Sequence, residues 1–172
     1  VWLEDLLELC CQVAIQFAQA QIRAGAEIIG LGDALASQIS PKMYERFAMP
    51  YEKRIFKEAH QAGAIARLHI CGNTTRILPA MLRSGAEVID LDWMVDFSKA
   101  SALFGEQVSL CGNSNPVADL LQGTPEQVYQ VTRRCLEVGG PHSFCAAGCE
   151  IPDGTPEENL RAQRRALEEF IN

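Results

Sequence analysis

The sequence lacks several features that would assign it to a function class at once. It has no run of clustered Lys and Arg, and its 15 basic residues are outnumbered by 22 acidic ones for a formal net charge of -7. A nucleic-acid surface needs a basic patch, so no nucleic-acid partner is expected. No apolar run approaches the length of a membrane span, so no membrane partner is expected either. The opening stretch "VWLEDLLELCC" is acidic and amphipathic, without the basic start and small-residue cleavage site of a signal peptide. No Gly-Lys-Ser/Thr follows any glycine-rich turn, so there is no phosphate loop. What remains is an ordinary globular composition, 48% hydrophobic and 22% charged over 172 residues, enough for one domain (1–172) with a real core. Seven cysteines without an export signal read as reduced thiols of a cytoplasmic protein.

Along the chain, strand-like and helix-like segments alternate. Leu3, Leu6, Leu7, Cys10, Val13, Ala14 and Phe17 recur at helical spacing and predict a first amphipathic helix from Trp2 to Ile22. A short apolar run, Glu27–Leu31, follows. Ser40 and Pro41 then open a helix, as N-cap and first helical residue, that runs to Gly63. The pattern repeats through "AIARLHI" and "TTRILPAMLRSG", "AEVIDLDW" and "DFSKASALFG", "EQVSLCG" and "TPEQVYQVTRRCLEVGG", and "HSFCAAG" and "TPEENLRAQRRALEEFI". Thr124 with Gln127, and Thr155 with Glu158, have capping-box spacing. Five strands, each followed by a helix, imply an α/β fold with a parallel sheet and right-handed crossovers. An open doubly wound sheet fits, and so does part of an eight-stranded barrel; a complete barrel takes about 250 residues.

Ligands of such folds bind at the carboxyl ends of the strands, and the polar residues collect there. Asp33 follows the first strand. His69, Cys71 and Asn73 end the second, Asp90, Asp92 and Trp93 the third, Cys111, Asn113 and Asn115 the fourth, and Cys145 and Cys149 the fifth. The opposite turns, "AGA", "SGA", "FGE" and "GGP", are plain. His69 and Cys71 are two apart on a strand and so share a face. With one more cysteine (Cys111, Cys145 or Cys149) they would make a mixed N/S site suited to catalytic zinc, three protein ligands leaving a fourth position open. The plainer account of His-x-Cys is a core histidine beside a packed thiol. Cys10, Cys11 and Cys135 fall on helices as packing residues, and Asp90 and Asp92 could cap nearby N–H groups.

The stretches "GLGDALASQISPKMYERFAMPYEKRI", "GAEVIDLDW", "LCGNSNPVADL" and "GPHSFCAAGCEIPDGTPEENL", in this order and spacing, resemble the carboxyl-terminal part of the uroporphyrinogen decarboxylase superfamily. The resemblance implies a TIM-barrel-like fold of parallel βα repeats, of which this chain holds about the last five βα units of eight. "LHICGN" and "AAGCEIPDGTPEEN" match the zinc ligands of the branch that resembles methylcobamide:coenzyme M methyltransferases. They give His69, Cys71 and Cys149 as the metal set, with Asp92 and Asn73 as groups able to orient or polarise a ligand. No catalytic residue beyond the metal ligands is implied. In that branch zinc activates a thiol, which takes a methyl group from a corrinoid such as methylcobalamin carried on a partner protein. The implied acceptor is coenzyme M, another small thiol or a folate. The decarboxylase branch, a lyase acting on a tetrapyrrole, usually has His in the last position and lacks the His-x-Cys pair. A non-catalytic fragment is the third reading, because five strands leave barrel edges exposed. A complementing chain or a homo-oligomer would cover them.

Overall fold

In a computed structural model, residues 2–171 are described. The elements run α1 (Trp2–Arg23), β1 (Ile28–Gly32), α2 (Pro41–Phe47), α3 (Met49–Gln61), β2 (Ile65–Ile70), α4 (Leu78–Met81), β3 (Val88–Leu91), α5 (Phe97–Phe104), β4 (Ser109–Ser114), α6 (Pro125–Gly139), β5 (Phe144–Ala147) and α7 (Glu157–Ile171). The strand order follows the chain, β1-β2-β3-β4-β5, as expected for successive right-handed βα units. No helix among the described residues is long and apolar enough to cross a membrane.

The chain divides into two compact units, Val1–Ile89 and Asp90–Asn172. In the first, β1 and β2 pair in parallel with Gly30 opposite Arg67 and Gly32 opposite His69. Strand β2 alternates: Ala66, Leu68 and Ile70 are buried, while Arg67 and His69 stand half-buried on the other face. Ala18, Ile29, Ala59 and Ala64 pack α1 and α3 onto β1, with Ile22 and Ala26 at the margin. In the second unit, β4 and β5 pair in parallel, Gly112 opposite Cys145. Leu120, Val128 and Ala162 form a core there, with Tyr129 and Ala147 against it.

Several expected elements differ. The single helix from Ser40 to Gly63 is two helices, because Pro50 has no N–H to offer the preceding turn and its ring crowds the carbonyl four residues back. The first therefore ends at Ala48, whose N–H bonds Tyr44 O, and the second starts at Met49. The helix expected in "TTRILPAMLRSG" shrinks to the four residues of α4, with Pro79 inside it. A turn of π-helix at Pro116–Leu121, opened by Asn115, was not expected. Thr124 makes the full capping box with Gln127. Thr155 does not act in the expected way: its hydroxyl donates to Pro152 O at 2.8 Å, and α7 begins at Glu157.

Candidate metal-binding and acid–base site

Polar residues stand at the strand ends within each unit. In the first, the alternation of β2 turns His69 to the half-buried face, and the chain leaves the strand so that Cys71 lies on the same side. His69 Nε2 and Cys71 Sγ are 3.3 Å apart. Ligands at ordinary Zn–N and Zn–S bond lengths in tetrahedral geometry stand about 3.6 Å apart, so this pair is close to a bidentate half-site. Gly72 follows with φ +86°, a conformation open to glycine, and a Cβ there would meet Ser37 Oγ at 2.9 Å. The turn after Cys71 is thus held in one shape. Asn73 carries it on, its Oδ1 accepting the Thr75 N–H at 3.1 Å. On β1, Gly30 and Gly32 lie beside Arg67 and His69, and a Cβ at either would meet nothing within 4 Å. The strand next to the histidine therefore leaves room over this face.

A second group of the same unit was not expected from sequence. Asp33, whose N–H donates to His69 O at 2.9 Å, shares a proton-rich cluster with Glu52 and Tyr44. Tyr44 is fully buried, and its hydroxyl donates to Glu52 Oε2 at 2.6 Å. Burial, opposed by that Tyr44 bond and reinforced by the Asp33 charge, pushes the Glu52 carboxyl up to about 7. Burial also raises Asp33, with the Glu52 hydrogen bond opposing. Both carboxyls face a cavity of about 190 Å³ lined by Leu7, Cys11 and Ile55 among others. A carboxyl pair that holds a proton near neutrality can give or take one there. Read locally, Glu52 lies among Lys53 and Arg54 and looks like a surface residue. Its register with Ile55, Phe56 and Ala59, at i+3, i+4 and i+7, is the signal that places it on the buried stripe.

In the second unit the three candidate cysteines differ. Cys145, on β5, interacts with Cys135 of α6, first among its neighbours. Cys111 is buried within β4. Cys149 is half-buried in the loop after β5. Gly148 fixes that loop: its N–H donates to Ser114 O at 2.8 Å, and a Cβ would fall 2.2 Å from Trp93 N. Asp92, almost fully buried, accepts the Met94 N–H at 2.9 Å. Asn113 Nδ2 donates to Asp92 O and Val95 O at 3.2 and 2.8 Å, tying the exit of β3 to β4. Asn115 Oδ1 accepts the Val117 and Ala118 N–H groups, so both strand-end asparagines shape the backbone.

Comparison with known proteins agrees with this architecture. The family model described as uroporphyrinogen decarboxylase (URO-D) matches residues 2–170. A methylcobamide:CoM methyltransferase, MtbA, of Methanosarcina mazei is 37% identical over 158 residues, covering 91% of this chain and 46% of that protein. A uroporphyrinogen decarboxylase of Synechococcus sp. (strain CC9605) is 33% identical over 168 residues, covering 95% and 47%. The solved structure of a methyltransferase from Methanosarcina mazei superposes with a TM-score of 0.86 at 29% identity, over 96% of this chain and 48% of that one. The chain spans about half the length of the curated relatives it matches. With βα units in one order and a family-wide match over nearly every residue, this chain belongs to the uroporphyrinogen decarboxylase family.

Proposed function

We propose that this chain carries the zinc-binding part of a corrinoid-linked methyltransferase, with His69, Cys71 and Cys149 as the protein ligands. The observation that carries the reading is the His69–Cys71 pair, an imidazole nitrogen and a thiol sulfur 3.3 Å apart at the carboxyl end of β2. One nitrogen and two sulfurs form a donor set that suits zinc and disfavours magnesium or calcium. The identity to proteins named methylcobamide:CoM methyltransferase supports the same branch.

The residues have distinct parts. His69 and Cys71 offer two ligand atoms from one strand end, and Gly72 holds the turn behind them. Cys149 offers the third from a loop clamped at Gly148. Zinc, when bound, supplies a Lewis acid that keeps a ligated acceptor thiol deprotonated at neutral pH. Asp33 and Glu52 hold a proton within the first unit. Asp92 and Asn73 act indirectly, by keeping the strand-end backbone in shape. The methyl donor is a corrinoid on a partner protein, the acceptor is coenzyme M, another small thiol or a folate, and the setting is the reducing cytoplasm.

The test is elemental analysis of protein purified without added metal. Near one zinc per chain is expected in wild type, falling at least about fivefold in Cys71→Ser and Cys149→Ser and unchanged in Cys111→Ser, since ligand loss leaves an incomplete tetrahedral set. A folded wild-type chain without zinc, binding a porphyrinogen instead, would overturn the reading in favour of a decarboxylase-like lyase, the alternative supported by relatives named uroporphyrinogen decarboxylase.

A further inference from the structure

The proposed methyl transfer fills no part of the cavity of about 190 Å³ in the first unit. The cavity lies between α1, the end of β1 and the junction of α2 with α3. Its walls are apolar: Leu7 and Ala14 from α1, Leu31 from β1 and Ile55 from α3, with Phe47 and Tyr51 beside them. Asp33 and Glu52 interrupt this surface, and no Lys, Arg or His among the described residues lines it. The guanidiniums of α2 and α3 are engaged elsewhere, Arg46 with Glu4 at 3.2 Å and Arg54 with Glu8 at 2.8 Å.

Glu52 sets the chemistry of an occupant. The side chain is 2% exposed. The Tyr44 hydroxyl donates to its Oε2 at 2.6 Å, which holds the carboxyl in place and leaves Oε1. That oxygen is buried and accepts no N–H or O–H of another residue among those described. A buried polar atom without a partner is uncommon and costly, so one on a residue of a cavity wall points to a donor from outside the chain. Two carboxyls exclude an anion. A purely apolar molecule would fill the walls and leave Oε1 unpaired. A divalent ion takes about six oxygen ligands, and most of this surface is carbon. From these residues we propose that the cavity binds a small primary alkylammonium ion, its N–H groups donating to Glu52 Oε1 and Asp33 and its alkyl chain lying along the apolar wall.

Size and charge agree with that occupant. A cavity of about 150 Å³ holds a benzene molecule, so this one admits a chain of about five carbons with its ammonium head. Burial pushes the Glu52 carboxyl up to about 7. Below neutrality a proton therefore satisfies it, and above neutrality a cation does.

The test is isothermal titration calorimetry of the whole chain with n-pentylammonium chloride at pH 8, where an alkylammonium keeps its proton as Lys does. Saturable binding is expected. Affinity should rise about fourfold per methylene from ethylammonium to n-pentylammonium, because each methylene is buried against the wall. n-Pentanol, with the same chain and no charge, should bind about tenfold more weakly or worse. The amine should lose the same factor in Glu52→Gln, which keeps the acceptor for Tyr44 but not the charge. Ala14→Leu takes up apolar space and should flatten the chain-length series, so the proposal remains testable if Glu52→Gln does not fold by circular dichroism. Cys149→Ser should bind the amine as wild type does, since the cavity needs neither zinc nor that loop. Absence of binding, equal affinity for n-pentanol, a flat chain-length series in wild type, or undiminished affinity in folded Glu52→Gln would each overturn the proposal. Displacement of the amine by equimolar magnesium or calcium would make this an inorganic cation site instead. Loss of binding in Cys149→Ser would place the amine at the proposed metal ligands and overturn the assignment to this cavity.

Discussion

Glu52 is 2% exposed, hydrogen-bonded by Tyr44, and holds its proton up to about pH 7 because burial penalises the carboxylate. A folded-state pKa above the ordinary 4.5 means that the native protein binds this proton more tightly than the unfolded chain. The contribution is therefore fully present below pH 4.5 and is lost as pH rises to about 7. At about 1.4 kcal/mol per pH unit, the wild-type protein should lose ~3 kcal/mol from this group over that window. Glu52→Gln keeps the shape and the acceptor for Tyr44 but cannot ionise. Urea midpoints measured from pH 5 to pH 8 should flatten in the variant, which gains on wild type as pH rises to about 7 and keeps that gain above it. Parallel slopes for the two proteins would show that Glu52 does not titrate there. Gly148→Ala tests a different residue-scale constraint. The added Cβ falls 2.2 Å from backbone that cannot swing aside, so the Cys149 loop must move. Zinc content should drop with all three proposed ligands intact, whereas Gly32→Ala, in open space, should retain it. The His-x-Cys pair was legible in the sequence because strand periodicity alone puts positions two apart on one face. The Asp33–Glu52–Tyr44 cluster was not, because its members are brought together by helix packing over a break at Pro50.

At the scale of elements, local signals were reliable where one residue type has one physical use. Ser40, Asp96 and Thr124 accept N–H groups at the starts of α2, α5 and α6, and the starts at Ser40 and Thr124 follow from the residue and its spacing. Thr124→Ala removes the hydroxyl of a complete capping box and should cost about 1 kcal/mol, a fall in melting temperature of roughly 2–4 °C for a chain of this size. Differential scanning calorimetry would measure it. Thr155→Ala has the same sequence signature but a different outcome. Its hydroxyl bonds Pro152 O and holds a turn ahead of α7, so helix content measured by circular dichroism should not change. A proline follows both threonines, yet α6 starts at Pro125 directly after Thr124, whereas α7 starts only at Glu157, two residues after Thr155. Asn159 shows the limit of local reading. Its side chain is polar, yet it lies on the stripe of Ala162 and Ala166 in α7, is buried and donates to Leu120 O and Gly123 O at 2.7 and 2.8 Å. Only the tertiary pairing of α7 with the turn before α6 gives that amide its partners.

For the whole molecule, the five parallel strands were legible because strand and helix patterns alternate, whereas the surfaces left uncovered were not. Trp2, Leu6, Leu9, Val13 and Phe17 are all exposed, from 49% to 77%, and their spacing of three and four residues makes a single stripe along α1. The same periodicity predicts an amphipathic helix, and periodicity cannot tell a stripe turned to a core from one turned to solvent. Here the buried side of α1 is carried by Cys11 and Ala18, small residues that let α3 approach closely. The larger residues remain in water, and Ile28 and Ile65 at the amino ends of β1 and β2 are exposed as well. A stripe of this kind has a strong tendency to associate, since burying each large apolar side chain is worth about 1.5–3 kcal/mol. The chain on its own should therefore sediment as a concentration-dependent mixture of monomer and larger species. Leu6→Glu combined with Val13→Lys changes two central positions of the stripe without touching a buried residue. The double variant should sediment as a monomer across the same concentration range and keep its zinc. If association persists unchanged, the contact lies on another face, and the unpaired edges of β1 and β5 become the surfaces to alter next.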